Sequence, residues 1–215
     1  MTARKIQLDV WSDYVCPFCY LELPVIRQLQ TDLGDAVAVR WPAFELRPEP
    51  MPALEPAGDY LQSTWDRAVY PLADLRRMIL RLPPLQPRSR MAFELAAFAR
   101  DHGRFQAVHE ALFAAFFEDG RDIGEESVLL DLGREQGLDP QALAEAIDTG
   151  RYLEEVFSDR QTAEQLNISA VPTLVVRRAG EPLEDGVQLH GAVDHPALRQ
   201  AVERVLLRSG QVVRP

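Results

Sequence analysis

At 215 residues the chain is long enough to bury a sufficient core without disulfide staples, and 47% apolar with 26% charged residues is the balance of an ordinary soluble globular protein. Twenty-three basic against 33 acidic residues give a net charge of -10, which excludes a general nucleic-acid binder that works through basic patches. No run is long and apolar enough to span a membrane, and two cysteines do not make a secreted disulfide scaffold.

Ile6, Leu8 and Val10 alternate with more polar positions, so 6–11 is predicted to be the first strand. A helix is expected over 21–33, where Leu23, Ile26, Leu29 and Leu33 recur about one turn apart and Pro24 should kink or restart it. A second strand is predicted over 37–46, with Pro42 suggesting an edge position or a bulge. Pro48, Pro50, Pro52 and Pro56 make 47–56 an extended connector.

Strand signals then vanish for about a hundred residues, roughly the size of a small domain. One or two helices are expected over 60–82, stopped by Pro83-Pro84, and others over 90–102, 105–117 and 128–136. Asp139-Pro140 reads as an N-cap and first helical residue of a further helix ending near Gly150. The phenylalanines between Phe105 and Phe117 read as core rather than as a substrate wall. A charged helix over 151–167 leads to a strand at 173–177, a turn at 179–182, a strand at 186–190 and a last helix after Asp194-His195-Pro196. The tail, 209–215, reads as loose. The order is β-α-β, a helical block, then α-β-β-α. The expectation is one α/β domain formed by 1–56 and 151–215, interrupted by an inserted all-α domain over 57–150. Residues 1–5 carry no apolar signal region, so a cytoplasmic location is expected, where thiols stay reduced.

Both cysteines lie between the first strand and the first helix, in Cys16-Pro17-Phe18-Cys19. A helix N-terminus has unpaired N–H groups and a partial positive charge, which favour a thiolate, the nucleophilic form. Pro17 suits an early helical position because its missing N–H has no intrahelical partner to lose. Two other readings compete. A zinc ribbon needs a second ligand pair, and His102, His109, His190 and His195 are scattered. Buried, inert cysteines would act only as small hydrophobes. The coincidence of spacing, preceding strand and following helix favours a redox dithiol.

These residues resemble the DsbA-like thioredoxin-fold family and, within it, the FrnE-like group of thiol-disulfide oxidoreductases. The matching pieces are Ser12-Asp13 with Cys16-Pro17-Phe18-Cys19-Tyr20, Phe44-Glu45-Leu46 with Pro48, the stretch from Phe105 to Phe117 of the helical block, Val171-Pro172-Thr173, and Gly191-Ala192. The group often has Trp where this chain has Phe18, and a glycine where it has Leu21-Glu22. DsbA has a histidine between its cysteines, whereas Phe18 has no hydrogen bond to give a thiolate. A neighbouring branch, glutathione-dependent isomerases and kappa-class transferases, commonly has serine for the first cysteine.

The resemblance implies a thioredoxin-like fold with a helical insertion. It implies Cys16 as the attacking thiol, Cys19 as the resolving thiol, and Pro172 in a cis peptide opposite the pair. Val171, Pro17 and Phe18 are the expected substrate contacts, with no cofactor and no metal. Expected partners are protein or small-molecule disulfides and dithiols, with glutathione or a thioredoxin-type reductant, and neither nucleic acid nor membrane. Asp9 and Asp13 are candidates to relay the Cys19 proton, set against the simpler reading of solvated acids. His190 and His195 read as structural or capping. A holdase-like binding protein and a glutathione-dependent small-molecule isomerase or transferase are the rival functions.

Overall fold

The structure is a computed structural model and describes residues 6–56 and 58–208. Its strands are β1 (Ile6–Trp11), β2 (Val37–Arg40), β3 (Thr173–Arg178) and β4 (Val187–His190). Helix α1 (Pro17–Leu33) joins β1 to β2. Between β2 and β3 lie α2 (Asp59–Thr64), α3 (Tyr70–Arg76), α4 (Arg90–Asp101), α5 (Phe105–Phe117), α6 (Glu126–Glu135), α7 (Pro140–Asp148) and α8 (Leu153–Gln165). Helix α9 (His195–Leu207) follows β4. The sheet order is β2-β1-β3-β4, with β2 parallel to β1 and β3 antiparallel to both its neighbours. This is a thioredoxin-like sheet carrying a helical block between its two halves.

Strand alternation decides what covers each face. Ile6, Leu8 and Val10 of β1, with Leu174 and Val176 of β3, pack on Val25, Ile26 and Leu29 of α1 and on Leu198, Val202 and Val205 of α9. Trp11 and Val175 face the other way, toward Ala163 of α8, Phe44 and Ile168. A third cluster joins the end of β1 to the helical block. It holds Tyr14, Cys19, Tyr20, Leu21 and Leu23 together with Leu95 and Phe98 of α4 and Leu112, Phe113 and Phe116 of α5.

Several elements differ from expectation for visible reasons. Helix α1 starts at Pro17, not at 21, because Cys16 caps it in an extended conformation with Pro17 as its first residue. It runs through Pro24 as one helix. β2 stops at Arg40 because Pro42 has no N–H and the Ala43 N–H donates to Asp159 of α8 at 2.9 Å. β2 is an edge strand, as Pro42 suggested. The helical run 59–76 contains a π-helical turn, Trp65–Val69. It ends at Arg77, whose φ of 54° lets the Met78 N–H reach back to the Ala73 carbonyl at 2.9 Å. Residues 78–82 are therefore not helical. The expected loose tail lies outside the described residues.

Polar side chains tie the block to the dithiol helix: Arg27 of α1 pairs with Glu110 of α5 at 2.6 Å, and a more buried tie comes from α3. Arg76 ends α3 and pairs with buried Glu22 of α1 at 3.0 Å. The same guanidinium donates to the Leu21 carbonyl and, at 2.5 Å, to the Val193 carbonyl just before α9. Burial pushes the Glu22 carboxyl up to about 7, outweighing the pull of Arg76.

Candidate active site

β1 ends at Trp11, and a tight turn carries the chain into α1. The Cys16 N–H donates to the Asp13 carbonyl at 3.1 Å. The Cys16 carbonyl then accepts from Cys19 N at 3.0 Å and from Tyr20 N at 3.3 Å, closing the first helical turn. The two thiols are not equivalent. Cys16 is 4% exposed and lines a cleft, whereas Cys19 is 0% exposed and lies behind it. Burial, and next the Cys16 thiol, push the Cys19 thiol well above its ordinary value; the Asp13 N–H and the Ser12 hydroxyl act the other way and do not prevail.

The loop before β3 approaches from across the sheet. The Cys16 thiol donates to the Val171 carbonyl at 3.5 Å. The Val171–Pro172 peptide is cis, and the Pro172 carbonyl accepts from Gly191 N at 2.8 Å. The six residues singled out in the sequence thus separate into two groups. Cys16, Pro17, Phe18 and Val171 line the cleft, while Cys19 and Pro172 are buried next to it.

The acids divide in a similar way. Asp9 lies on the sheet face opposite α1 and is bound by Arg177 at 2.9 Å, so it is a buried structural ion pair and not a solvated acid. Asp13 is also fully buried; its carboxylate accepts from Leu46 N at 2.7 Å and Val15 N at 3.3 Å, fixing the turn before Cys16. Burial raises its carboxyl to about 6 against the pull of these N–H groups. His190 meets the Thr173 hydroxyl at 3.3 Å, and His195 meets Asp32 at 2.9 Å. Among the described residues, no cluster of three or more His, Cys, Asp or Glu side chains is arranged to hold a metal ion.

The cleft has a volume of about 340 Å³. The dithiol turn forms one wall, with Val15, Cys16 and Phe18, and the loop at Ser169, Ala170 and Val171 forms another. The helical block supplies Leu61, Trp65 and Phe117, the proline-rich connector supplies Arg47 and Leu54, and Leu46 lies just before it. Sequence reasoning missed Arg47 and Trp65. A signal for Arg47 was its place directly after Phe44-Glu45-Leu46, a segment already singled out; Trp65 had none beyond its helical setting.

Residues 7–203 match the family model described as a DSBA-like thioredoxin domain. The protein YwbO of Bacillus subtilis (strain 168) is 31% identical over 175 residues, covering 80% of this chain and 86% of YwbO. Among solved structures, a probable DsbA oxidoreductase from Streptomyces coelicolor superposes with a TM-score of 0.77 at 20% identity, covering 98% of this chain and 92% of that one. The cytosolic disulfide reductase DsbM from Pseudomonas aeruginosa, solved with GSH, gives 0.65 at 20% identity, covering 94% and 99%.

Proposed function

We propose that this chain, which belongs to the DSBA-like thioredoxin domain family, is a thiol-disulfide oxidoreductase that works through Cys16 and Cys19. The observation that carries this reading is the asymmetry of the pair. Cys16 stands at the N-terminus of α1 on the wall of a cleft, and Cys19 is sealed one helical turn behind it.

In this reading the Cys16 thiolate attacks one sulfur of a substrate disulfide. A Cys16–substrate bond forms, and the other half leaves as a thiolate with the electron pair. Cys19, once deprotonated, attacks Cys16 Sγ and expels the second half. The dithiol becomes a disulfide and the substrate two thiols, which take up the two cysteine protons. The reverse sequence oxidises a substrate dithiol. The burial that keeps Cys19 protonated holds it back until its proton can leave. In the same reading a bound substrate backbone passes along the loop before β3, which the contact between the Cys16 thiol and the Val171 carbonyl supports.

The reading extends to the compartment and the partners. We place the protein in the cytoplasm, regenerated by glutathione or a thioredoxin-type reductant. The likeness to cytosolic DsbM, solved with GSH, supports this. No described helix is long and apolar enough to cross a membrane.

The test is a trapping experiment with a protein disulfide such as insulin. Cys16→Ser abolishes reduction and forms no adduct. Cys19→Ser accumulates a mixed disulfide on Cys16, visible by mass spectrometry and released by dithiothreitol. An adduct on Cys19 in the Cys16→Ser protein, with none in Cys19→Ser, would reverse the roles.

A further inference from the structure

The cleft beside Cys16 has a chemical character that narrows the substrate. Its volume of about 340 Å³ lies in the range of small-molecule sites, roughly 300–1,000 Å³. Phe18, Leu46, Leu54, Leu61, Trp65 and Phe117 give it an apolar lining on several sides. Trp65 and Phe117 are themselves buried in the helical block, with ring centroids 6.0 Å apart, so the aromatic wall is held in place.

The charge of the lining is lopsided. In a chain of net charge -10, the charged residue among the described lining residues is Arg47, and none of them carries a carboxylate. The Arg47 guanidinium has no ion pair or hydrogen bond among the described residues. Its backbone is held, because its carbonyl accepts from Arg88, which also donates to the Met51 carbonyl at 2.6 Å. A second guanidinium is therefore spent on holding the loop that presents the first.

We propose that the cleft takes a low-molecular-weight disulfide with an apolar, aromatic-sized body and a carboxylate, the carboxylate meeting Arg47 while the disulfide meets Cys16. This rests on the thiol-disulfide reading and names its substrate class. Glutathione disulfide fits the cleft less well. Each half carries an ammonium group, and the described lining residues include no carboxylate to receive it. The exchange is the one written above: Cys16 Sγ bonds to one half, the other leaves as an aromatic thiolate, and Cys19 displaces the first half.

The test is single-turnover oxidation of the reduced protein, followed by stopped flow with three probes. Dithiobis-nitrobenzoate is aromatic and carries carboxylates, dithiodipyridine is aromatic and uncharged, and glutathione disulfide is polar. Rates for each variant are divided by the wild-type rate with the same probe, so the intrinsic reactivity of each disulfide cancels. In Arg47→Gln the ratio of nitrobenzoate to dipyridine rates falls about tenfold, the scale of one charge-assisted contact, and Arg47→Lys restores most of it. Arg204→Gln on α9 makes the same change in net charge and leaves the ratio within twofold. Trp65→Leu slows both aromatic probes relative to glutathione disulfide. A ratio unchanged in Arg47→Gln, or lowered equally by Arg204→Gln, would overturn the proposal while leaving disulfide exchange standing. If no probe oxidises Cys16 and Cys19 in the wild-type protein, the thiol-disulfide reading itself is wrong.

Discussion

His109 of α5 is a buried imidazole, 1% exposed. It is one of four scattered histidines in the sequence, yet in the fold it sits in an aromatic box under the dithiol turn. Its Nδ1 shares a 2.8 Å hydrogen bond with the Tyr14 hydroxyl, and the Phe105 ring stacks on it at 5.0 Å. Its Nε2 is buried without a partner among the described residues. Burial lowers its ring to about 3, against an ordinary value near 6.5. Between these limits the unfolded chain binds a proton that the native protein refuses. Stability contributed by the neutral ring is complete above about pH 6.5 and is lost as pH falls toward 3, by at most about 1.4 kcal/mol per unit. His109→Phe keeps an aromatic in the box and removes the titration. As pH is lowered from 6 to 4 its denaturation midpoint is expected to rise relative to that of the wild type at the same pH, and parallel curves would contradict this account.

At the scale of elements, α1 has two jobs that its sequence sets against each other. Its start must present Cys16, and its next turn contains Pro24, which removes the donor that the Tyr20 carbonyl would use. The neighbouring Leu21 carbonyl and the Glu22 carboxylate both take N–H groups from Arg76. The weak turn of the dithiol helix is thus braced by the end of α3. Removing one partner of a buried pair costs about 3–5 kcal/mol, because the other is left uncompensated. At pH 8, where Glu22 is ionised in the wild type, Arg76→Met is expected to destabilise by up to that amount, and adding Glu22→Gln to recover a good part of it. Urea denaturation of the single and double variants measures both, and additive losses would show that the pair is not coupled.

Across the whole molecule, buried acids outnumber the buried histidine. Asp13 is held near 6 and Glu22 and Glu94 near 7, each because burial disfavours its charge. Each keeps a proton in the native state that the unfolded chain has released above about pH 4.5. Their contribution is present below that value and is lost as pH rises through 6 to 7. Three such groups outweigh His109 over their common range. The protein is expected to be more stable at pH 5.5 than at pH 8 by roughly 1–3 kcal/mol, read from urea midpoints at the two values. The strands, the helix order and the dithiol were legible in the sequence because alternation, helical period and Cys16-Pro17-Phe18-Cys19 are local signals. Asp9 reads as an exposed strand acid until Arg177 arrives from β3. β2 was read too long because Asp159, which captures the Ala43 N–H, lies far along the chain. Arg47 and Trp65 come to line one cleft, and Arg76 meets Glu22, only when the helical block closes on α1. The π-helical turn at Trp65–Val69 bears on how this arrangement tolerates change in length. Leu61, Trp65, Val69 and Ala73 are all buried at intervals of four, a spacing that drifts around an ordinary α-helix but stays nearly in line through a wider turn. Deleting one residue there would leave a good helix by every local measure. Because the wider turn holds one residue more than an α-helical turn, the residues that remain would close an ordinary turn and Arg76 would still meet Glu22; the same deletion in the α-helical stretch on either side would rotate all that follows by about 100° and take the brace to the dithiol helix away while the hydropathy profile looked intact.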